Sequence, residues 1–292
     1  MMTTPALLSV VVPVCFTVWV LSWNCLLEEQ PQKVYIQTSG WKTLFHRKSA
    51  NHSAVEPPHH ATLHSDLQVK RQMHQRQLAK QLANMGHYMH QQGHNYFTYH
   101  WEPTWSCDFE ERVGNFGDGG KWVCNTRRLA SKVNSSEECN VVSVGSQNDF
   151  SFEMGIHDLN PQCNICVFDH TSSSGGAPDY IKFFQVGLGS VTQGSFVNVK
   201  DALGMCGFSN KTVDVFKIDC EGCEYDIYGQ FLPEASRIKQ ILIEIHFKNA
   251  EQTHRLFQNM TSKYSIFHKE PNLNPQSRGD CVEYGFVNTE VS

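Results

Sequence analysis

The sequence has little positive charge. Among its 292 residues, 24 Lys and Arg stand against 29 Asp and Glu, so the net charge at pH 7 is -5. Proteins that bind nucleic acid usually carry a clustered basic face, because much of their affinity comes from neutralising phosphates. No such face is indicated here, and the sequence predicts no nucleic-acid partner.

The sequence also lacks the glycine motifs that bind nucleotide phosphates. The apolar run at 141–145 ends in one glycine, Gly145, and no complete Gly-x-Gly-x-x-Gly follows it. The stretch "FGDGGKW" at 116–122 lacks the Lys-Ser/Thr ending of a P-loop. A pyrophosphate site is therefore not indicated, and a dinucleotide dehydrogenase becomes a minor alternative.

Charged residues are absent from positions 6–27, "ALLSVVVPVCFTVWVLSWNCLL". About 20 apolar residues are enough to cross a bilayer, and no small-x-small cleavage site is clear, so residues 1–28 predict a retained signal anchor. A cleaved signal peptide and a buried segment are the alternatives. No Lys or Arg precedes the segment, so the positive-inside rule gives little information on its orientation in the membrane.

Two further features favour a luminal protein. Asn-x-Ser/Thr sequons begin at Asn51, Asn134, Asn210 and Asn259. Of the eleven cysteines, nine lie outside the predicted anchor, and this density suits an oxidising compartment. We expect a single-pass type II protein of the Golgi or endoplasmic reticulum membrane.

Residues 29–100 are rich in Gln, His, Ser and Lys and predict a stalk that is partly helical. Apolar residues recur at roughly helical spacing over 63–92, but a heptad phase is not kept. The pattern favours a single helix, and a homodimer through the stalk is the alternative.

From residue 101 onward, short apolar runs alternate with stretches of helical period. The runs are continuous rather than alternating, which is typical of parallel strands covered on both faces. The last two runs are separated by a loop without helical period and predict an antiparallel hairpin at the sheet edge. The predicted strands are 141–145, 165–169, 182–189, 213–219, 240–247, 264–269 and 282–288.

Polar residues follow several of these strands. "KIDCEGCEYD" at 217–226 begins as the fourth strand ends, and Asp169 ends the second strand. In a parallel sheet, ligands bind beyond the carboxyl ends of the strands, and an acid at the end of the second strand can accept hydrogen bonds from ribose. Because no phosphate-binding motif is present, an adenosine ligand without phosphate fits this pattern better than a dinucleotide does. S-adenosylmethionine is such a ligand.

These motifs together resemble a known family. "VVSVGSQNDFSFE", "ICVFDH", "VGLGS", "FKIDCEGCEYDIYGQF" and "ILIEIHF" occur in the order and spacing of FkbM-type S-adenosylmethionine-dependent methyltransferases. "RVGNFGDGGKWVC" is similar to the upstream segment of related animal methyltransferase-like proteins. The resemblance covers about residues 105–290 and departs from the family at 147–149, where another glycine is common.

The resemblance implies an α/β Rossmann-like class I methyltransferase fold with seven strands over residues 101–292. It implies that Gly145, Ser146 and Asn148 line the methionine side, with Glu153 at the start of the next helix. Asp169 would hold the ribose. Asp219 would contact the cofactor and, with Glu221, flank the reacting centre.

His246 is the predicted catalytic base. Glu244 and His246 lie on one face of the fifth strand, which should neighbour the fourth and bring His246 beside Asp219 and Glu221. Methyl transfer to a hydroxyl needs a base when the hydroxyl is weakly acidic. A carboxylate–histidine pair that only fixes a loop is the alternative. The same three residues, Asp219, Glu221 and His246, are also candidate ligands for Mn²⁺ or Mg²⁺.

The cysteines favour disulfides, or packing as small apolar side chains, over a zinc site. Cys163 and Cys166 are far in sequence from Cys220 and Cys223, much farther than the usual spacing of a zinc site. The first choice for a disulfide is Cys107 with Cys124, which bracket the glycine-rich stretch. That stretch predicts a surface turn with Trp122 beneath it, and an acceptor-binding lid is the functional alternative.

The sequence therefore predicts an S-adenosylmethionine-dependent O-methyltransferase of the secretory pathway, with a sugar hydroxyl of a glycan as acceptor. Methylation of a lipid or small metabolite, and a catalytically silent binding module, are the alternatives. Trp101, Trp105 and Trp122 are candidates to stack on sugar rings, although packing in the core explains them equally well.

Overall fold

Eleven strands and eight helices are found in the computed structural model, which describes residues 59–84, 94–272 and 280–290. The strands are β1 (Glu110–Val113), β2 (Lys121–Cys124), β3 (Asn140–Val144), β4 (Asn164–Phe168), β5 (Ile181–Phe184), β6 (Gly187–Leu188), β7 (Phe196–Val197), β8 (Val215–Ile218), β9 (Gln240–His246), β10 (Ser265–Pro271) and β11 (Cys281–Val287). The helices are α1 (His59–Asn84), α2 (His94–Tyr99), α3 (Thr126–Ser131), α4 (Ser151–Leu159), α5 (Val199–Cys206), α6 (Glu224–Ile227), α7 (Phe231–Glu234) and α8 (Ala250–Met260).

One mixed sheet of seven strands is the centre of the fold. Its strand order is β10-β11-β9-β8-β3-β4-β5. The five strands from β9 to β5 are parallel, and β11 runs antiparallel to both β9 and β10. This confirms the predicted Rossmann-like methyltransferase sheet with its antiparallel edge hairpin.

The predicted strand at 182–189 is interrupted. β5 ends at Phe184, and β6 leaves the main sheet to pair with β7. Gly187 allows this close pairing, because a Cβ there would lie 2.9 Å from an atom of the Phe196 ring. The interruption turns the chain over the end of β4, where it forms one wall of a cavity.

The sheet is covered on both faces, as its continuous apolar runs predict. Phe216 and Ile218 of β8 pack on the side of α5, α7 and α8, and Val215 packs with Phe152 and Ile156 of α4 on the other. Lys217 is the one charged residue of this buried strand, whose other residues are apolar.

The domain includes residues assigned to the stalk by sequence. Tyr96 and Phe97 of α2 and Trp101 are buried in the core. The Trp101 ring stacks on Phe257 at 4.9 Å, so its role is packing rather than sugar stacking. The domain therefore extends at least to His94 rather than beginning at 101.

α1 corresponds to the helix predicted over 63–92, whose last residues lie outside the described part of the chain. It contacts the domain through an ion pair of Lys70 with Asp108 and a hydrogen bond of 2.7 Å between His74 and Thr104. The predicted anchor, 1–28, also lies outside the described residues. Among the helices that are described, none has the length and apolar character needed to span a bilayer.

Eight cysteines form four disulfides. Cys107 with Cys124 is confirmed. Of the two Cys-x-x-Cys pairs, Cys220–Cys223 forms a local disulfide, whereas Cys163 and Cys166 bond to other partners, as Cys139–Cys163 and Cys166–Cys206. Cys281 is the one free thiol among the cysteines that the structure describes.

Candidate active site

A cavity of about 870 Å³ lies at the carboxyl ends of β3, β4, β8 and β9. Parallel strands end at one edge of the sheet, so the polar residues that follow each strand meet there. Six of the predicted site residues line the cavity. They are Gly145, Ser146, Asp169, Asp219, Glu221 and His246.

Gly145 makes the turn after β3 fit against β8. Its φ is 77°, and a Cβ on this residue would lie 1.6 Å from the carbonyl oxygen of Asp219. A side chain at this position is excluded both by the backbone conformation and by space. The turn after β3 and the end of β8 therefore form one continuous surface at the base of the cavity.

Asp169 joins the loops after β3 and β4. One carboxylate oxygen accepts hydrogen bonds from the backbone N–H groups of Ser146 and Gln147, and the other accepts them from Thr171 and Ser172. Burial by itself raises the pKa of Asp169, but these hydrogen bonds outweigh it and hold the pKa below its usual value. A ribose hydroxyl would have to replace one of these donors or share its acceptor oxygen.

Asn148 and Glu153 are not brought to the cavity. Asn148 lines a neighbouring groove with Asp149 and Met154. Glu153 lies in the first turn of α4, as predicted, but is fully buried, and its carboxylate oxygens have no hydrogen-bond partner among the described residues.

Lys121 is a central residue that sequence reasoning missed. It is buried, and its Nζ lies 3.1 Å from Asp219, 2.6 Å from Glu283 and 3.7 Å from Glu244. These acids come from β11, β9 and the end of β8. The lysine stands in the glycine-rich stretch "FGDGGKW", but its partners depend on a strand register that the sequence does not show.

Lys121 and its three acids, Asp219, Glu244 and Glu283, form an ion cluster. The acids of this cluster differ in protonation state. Burial by itself raises the pKa of Asp219, but the charges of Lys121 and Lys217 outweigh it and hold the pKa low. Burial and the negative charges of Asp219 and Glu283 raise the pKa of Glu244 to about 9. At neutral pH, Asp219 is therefore ionised and Glu244 carries a proton.

His246 is held by carboxylates on both ring nitrogens. Its Nδ1 lies 3.2 Å from Glu224, and its Nε2 lies 3.2 Å from Glu221. Glu224 is fully buried and also accepts the backbone N–H of His246, so it fixes the ring orientation. The orienting partner predicted from sequence was Asp219 or Glu221; the ring contacts Glu221. Sequence reasoning missed Glu224, although it belongs to the same stretch, "KIDCEGCEYD".

The surroundings of His246 favour the protonated ring. Burial by itself lowers its pKa, but hydrogen bonds with Cys281 and Glu224 and the charge of Glu224 outweigh it and raise the pKa to about 11. The imidazole is therefore a cation at neutral pH, and it must lose this proton before it can act as a base.

Residues 220–223 form a short loop closed by the Cys220–Cys223 disulfide. Glu221 has a left-handed φ of 54°, and Gly222 has a φ of 111°. Both cysteines line the cavity. The cross-link thus restrains the loop that presents Glu221 to His246.

The glycine-rich segment forms part of the cavity wall. Asp118 and Gly119 line the cavity, and Trp122 stacks on His268 with ring centres 4.7 Å apart. Arg112 donates hydrogen bonds to the carbonyls of Gly117 and Gly120 within the segment and of Asn115, which immediately precedes it. The segment therefore combines the predicted surface turn with a direct contribution to the site.

The two ends of the cavity differ in chemistry. Phe168, Leu188 and Phe196 make the end near β4 and β7 apolar. The end near β8, β9 and β11 is lined by Asp118, Asp219, Glu221, Glu244 and His246. Ligand atoms of the predicted cation set, Asp219, Glu221 and His246, lie within 4.8 Å of one another.

A family model described as a methyltransferase domain matches residues 39–288. Solved structures with a similar fold include the N-methyltransferase NodS from Bradyrhizobium japonicum WM9, with 12% identity and a TM-score of 0.34 over 56% of this chain and 93% of that one. The fibrillarin pre-rRNA processing protein of Methanococcus jannaschii has 11% identity and a TM-score of 0.36 over 62% of this chain and 84% of that one. No curated protein matches the sequence.

The ion cluster predicts a large effect of Lys121→Met on stability. Removing the ammonium leaves buried carboxylates without a cation, so we expect the free energy of unfolding to fall by about 3–5 kcal/mol. The loss should be smaller at pH 5 than at pH 8, because protonated carboxyls need no counterion. Denaturant unfolding measures both values, with Lys211→Met, a partly exposed lysine paired with Glu138, as control. Equal losses in the two variants would contradict the prediction.

Proposed function

The chain belongs to a family of methyltransferase domains, and we propose that it transfers a methyl group from S-adenosylmethionine to a hydroxyl group of a glycan. The finer resemblance to FkbM-type enzymes stays a prediction.

The cavity at the strand ends is the observation that carries this proposal. Its volume is within the range of small-molecule sites, about 300–1,000 Å³. The apolar end, with Phe168 and Phe196, fits an adenine ring, and the acidic end, with Asp219, fits a positive charge. When bound, S-adenosylmethionine supplies an electrophilic methyl group on a sulfonium.

The acidic end also favours a neutral acceptor. Carboxylates accept hydrogen bonds from hydroxyl groups and repel phosphate, sulfate and carboxylate groups. Asp118, Asp219 and Glu221 line this end, and the adjacent Glu244 accepts a hydrogen bond of 2.8 Å from Asn272. A neutral sugar hydroxyl meets these requirements, and His246 is the candidate base that accepts its proton.

The compartment is part of the same proposal. Four disulfides suit an oxidising environment, and the sequon residues Asn134 and Asn210 are exposed. We place the domain in the lumen of the Golgi or endoplasmic reticulum, attached as a type II protein through residues 1–28.

Glycosidase treatment of the full-length chain from animal cells tests this placement. We expect the electrophoretic mobility to increase when N-glycans are removed, because luminal sequons are accessible to glycosylation. Asn134→Gln combined with Asn210→Gln should reduce the shift. An unchanged mobility of the wild-type chain would argue against a luminal domain.

Methyl transfer predicts labelled product from a neutral glycan. The full-length chain is incubated with methyl-labelled S-adenosylmethionine and glycans that end in mannose, galactose or fucose, with sulfated and sialylated glycans as matched controls. We expect label in one neutral sugar and little in the anionic controls. Mn²⁺ and a chelator in parallel reactions test the predicted divalent cation.

Other outcomes of this experiment separate the alternatives. Label in lipid or small-metabolite acceptors, but not in glycans, would show that the acceptor is a lipid or small metabolite instead of a glycan. Binding of S-adenosylmethionine without transfer to any tested acceptor would favour a binding module, and absence of binding would contradict the proposal as a whole.

His246 predicts a rise of activity with pH. Because its pKa is raised to about 11, the fraction of unprotonated ring grows as pH increases from 7 to 10. We expect kcat to rise over this range and His246→Gln to lower kcat by about 100-fold and to remove the rise. The control is His157→Gln on α4, whose ring stacks on Tyr180 outside the cavity. A pH profile unchanged in His246→Gln would exclude His246 as the base.

A further inference from the structure

Lys217 is a buried cation whose charge helps to hold the pKa of Asp219 low, but no contact with a ligand has been assigned to it so far. It lies in β8 beside Ser143 of β3 and Leu242 of β9, and only 2% of its surface is exposed. A lysine in a buried strand is costly, because its ammonium loses its hydration. Such a residue needs a strong partner at its charged end.

The described contacts of Lys217 satisfy its ammonium group only in part. Its Nζ donates a hydrogen bond of 2.7 Å to the carbonyl oxygen of Gly145. An ammonium group has three donors, and among the described residues this is its one hydrogen bond. Among the described residues, Lys217 forms no ion pair within 4.0 Å; its Nζ lies 6.0 Å from the centre of the Phe152 ring, and its charge interacts with Asp219 from farther away.

The position of Lys217 indicates where a further partner would come from. Lys217 lines the cavity and contacts the Gly145 turn, on the side where the family resemblance predicts the methionine part of the cofactor. The charged residues that line the cavity are mostly acidic, and its other cationic side chain, His246, is already paired with Glu221 and Glu224. An anionic group in the cavity would therefore be attracted to Lys217.

We propose that Lys217 binds the carboxylate of the methionine part of S-adenosylmethionine. The inference rests on the proposed function and assigns a ligand contact to a residue outside the sequence-predicted set. A charge-assisted hydrogen bond satisfies the buried ammonium and orients the cofactor along the turn after β3. The two charged groups of the ligand are then bound at different places. Its carboxylate contacts Lys217, and its sulfonium faces Asp219 at the acidic end.

A purely structural role predicts a different result. If Lys217 only fixes the Gly145 turn, its removal weakens every adenosyl ligand to the same extent. If it binds the carboxylate, its removal affects only ligands that carry this group. A pair of ligands that differ in the carboxylate alone separates the two roles.

The experiment measures dissociation constants of the full-length chain by calorimetry. The probes are S-adenosylhomocysteine and its decarboxylated analogue. We expect the wild type to bind S-adenosylhomocysteine about 10- to 100-fold more tightly. Lys217→Met should lose this preference, and Lys211→Met should retain it.

Each outcome decides the proposal. Equal affinity of the wild type for both probes, or a preference retained in Lys217→Met, overturns the carboxylate contact. Because the preference is a ratio within one variant, a lower folded fraction does not change it, and Lys217→Gln provides the same test if Lys217→Met does not fold. Failure of the wild type to bind either probe instead contradicts the proposed function, and the inference falls with it.

Discussion

The buried ammonium of Lys121 is the contact on which the site depends. It brings β2, which is not part of the main sheet, against carboxylates that follow or lie within three neighbouring strands. Without this cation, the ionised Asp219 would lie buried beside two further carboxyl groups, Glu244 and Glu283, with much less positive charge to balance it. The lysine thus allows an acidic end of the cavity to exist inside a folded domain.

Additional contacts hold the β1–β2 hairpin against the edge hairpin. Arg112 forms an ion pair with Glu270, and the Trp122 indole donates to the same carboxylate at 2.9 Å. His268 contacts Glu110 on β1. The glycine-rich segment between β1 and β2 is therefore fixed at both ends, which explains why it forms a wall with a defined shape.

The sheet and part of the site follow from sequence because they depend on local patterns. Apolar runs predict the seven strands, and the rule that parallel strands end at one edge brings Asp219, Glu221 and His246 together. Lys121, Glu224 and Glu283 were missed because their partners are set by strand register and hairpin docking. Asn148 and Glu153 were carried over from the family, but the turn after β3 directs one to a neighbouring groove and buries the other.

The close contact of Gly145 with Asp219 has a mechanical consequence. The turn after β3 and the end of β8, which carries Asp219, approach each other through backbone atoms alone. Backbone is stiffer than side chain, so no intervening rotamer can absorb a displacement. The turn and the backbone of Asp219 are therefore positioned as one unit, and a displacement of either bears directly on the other.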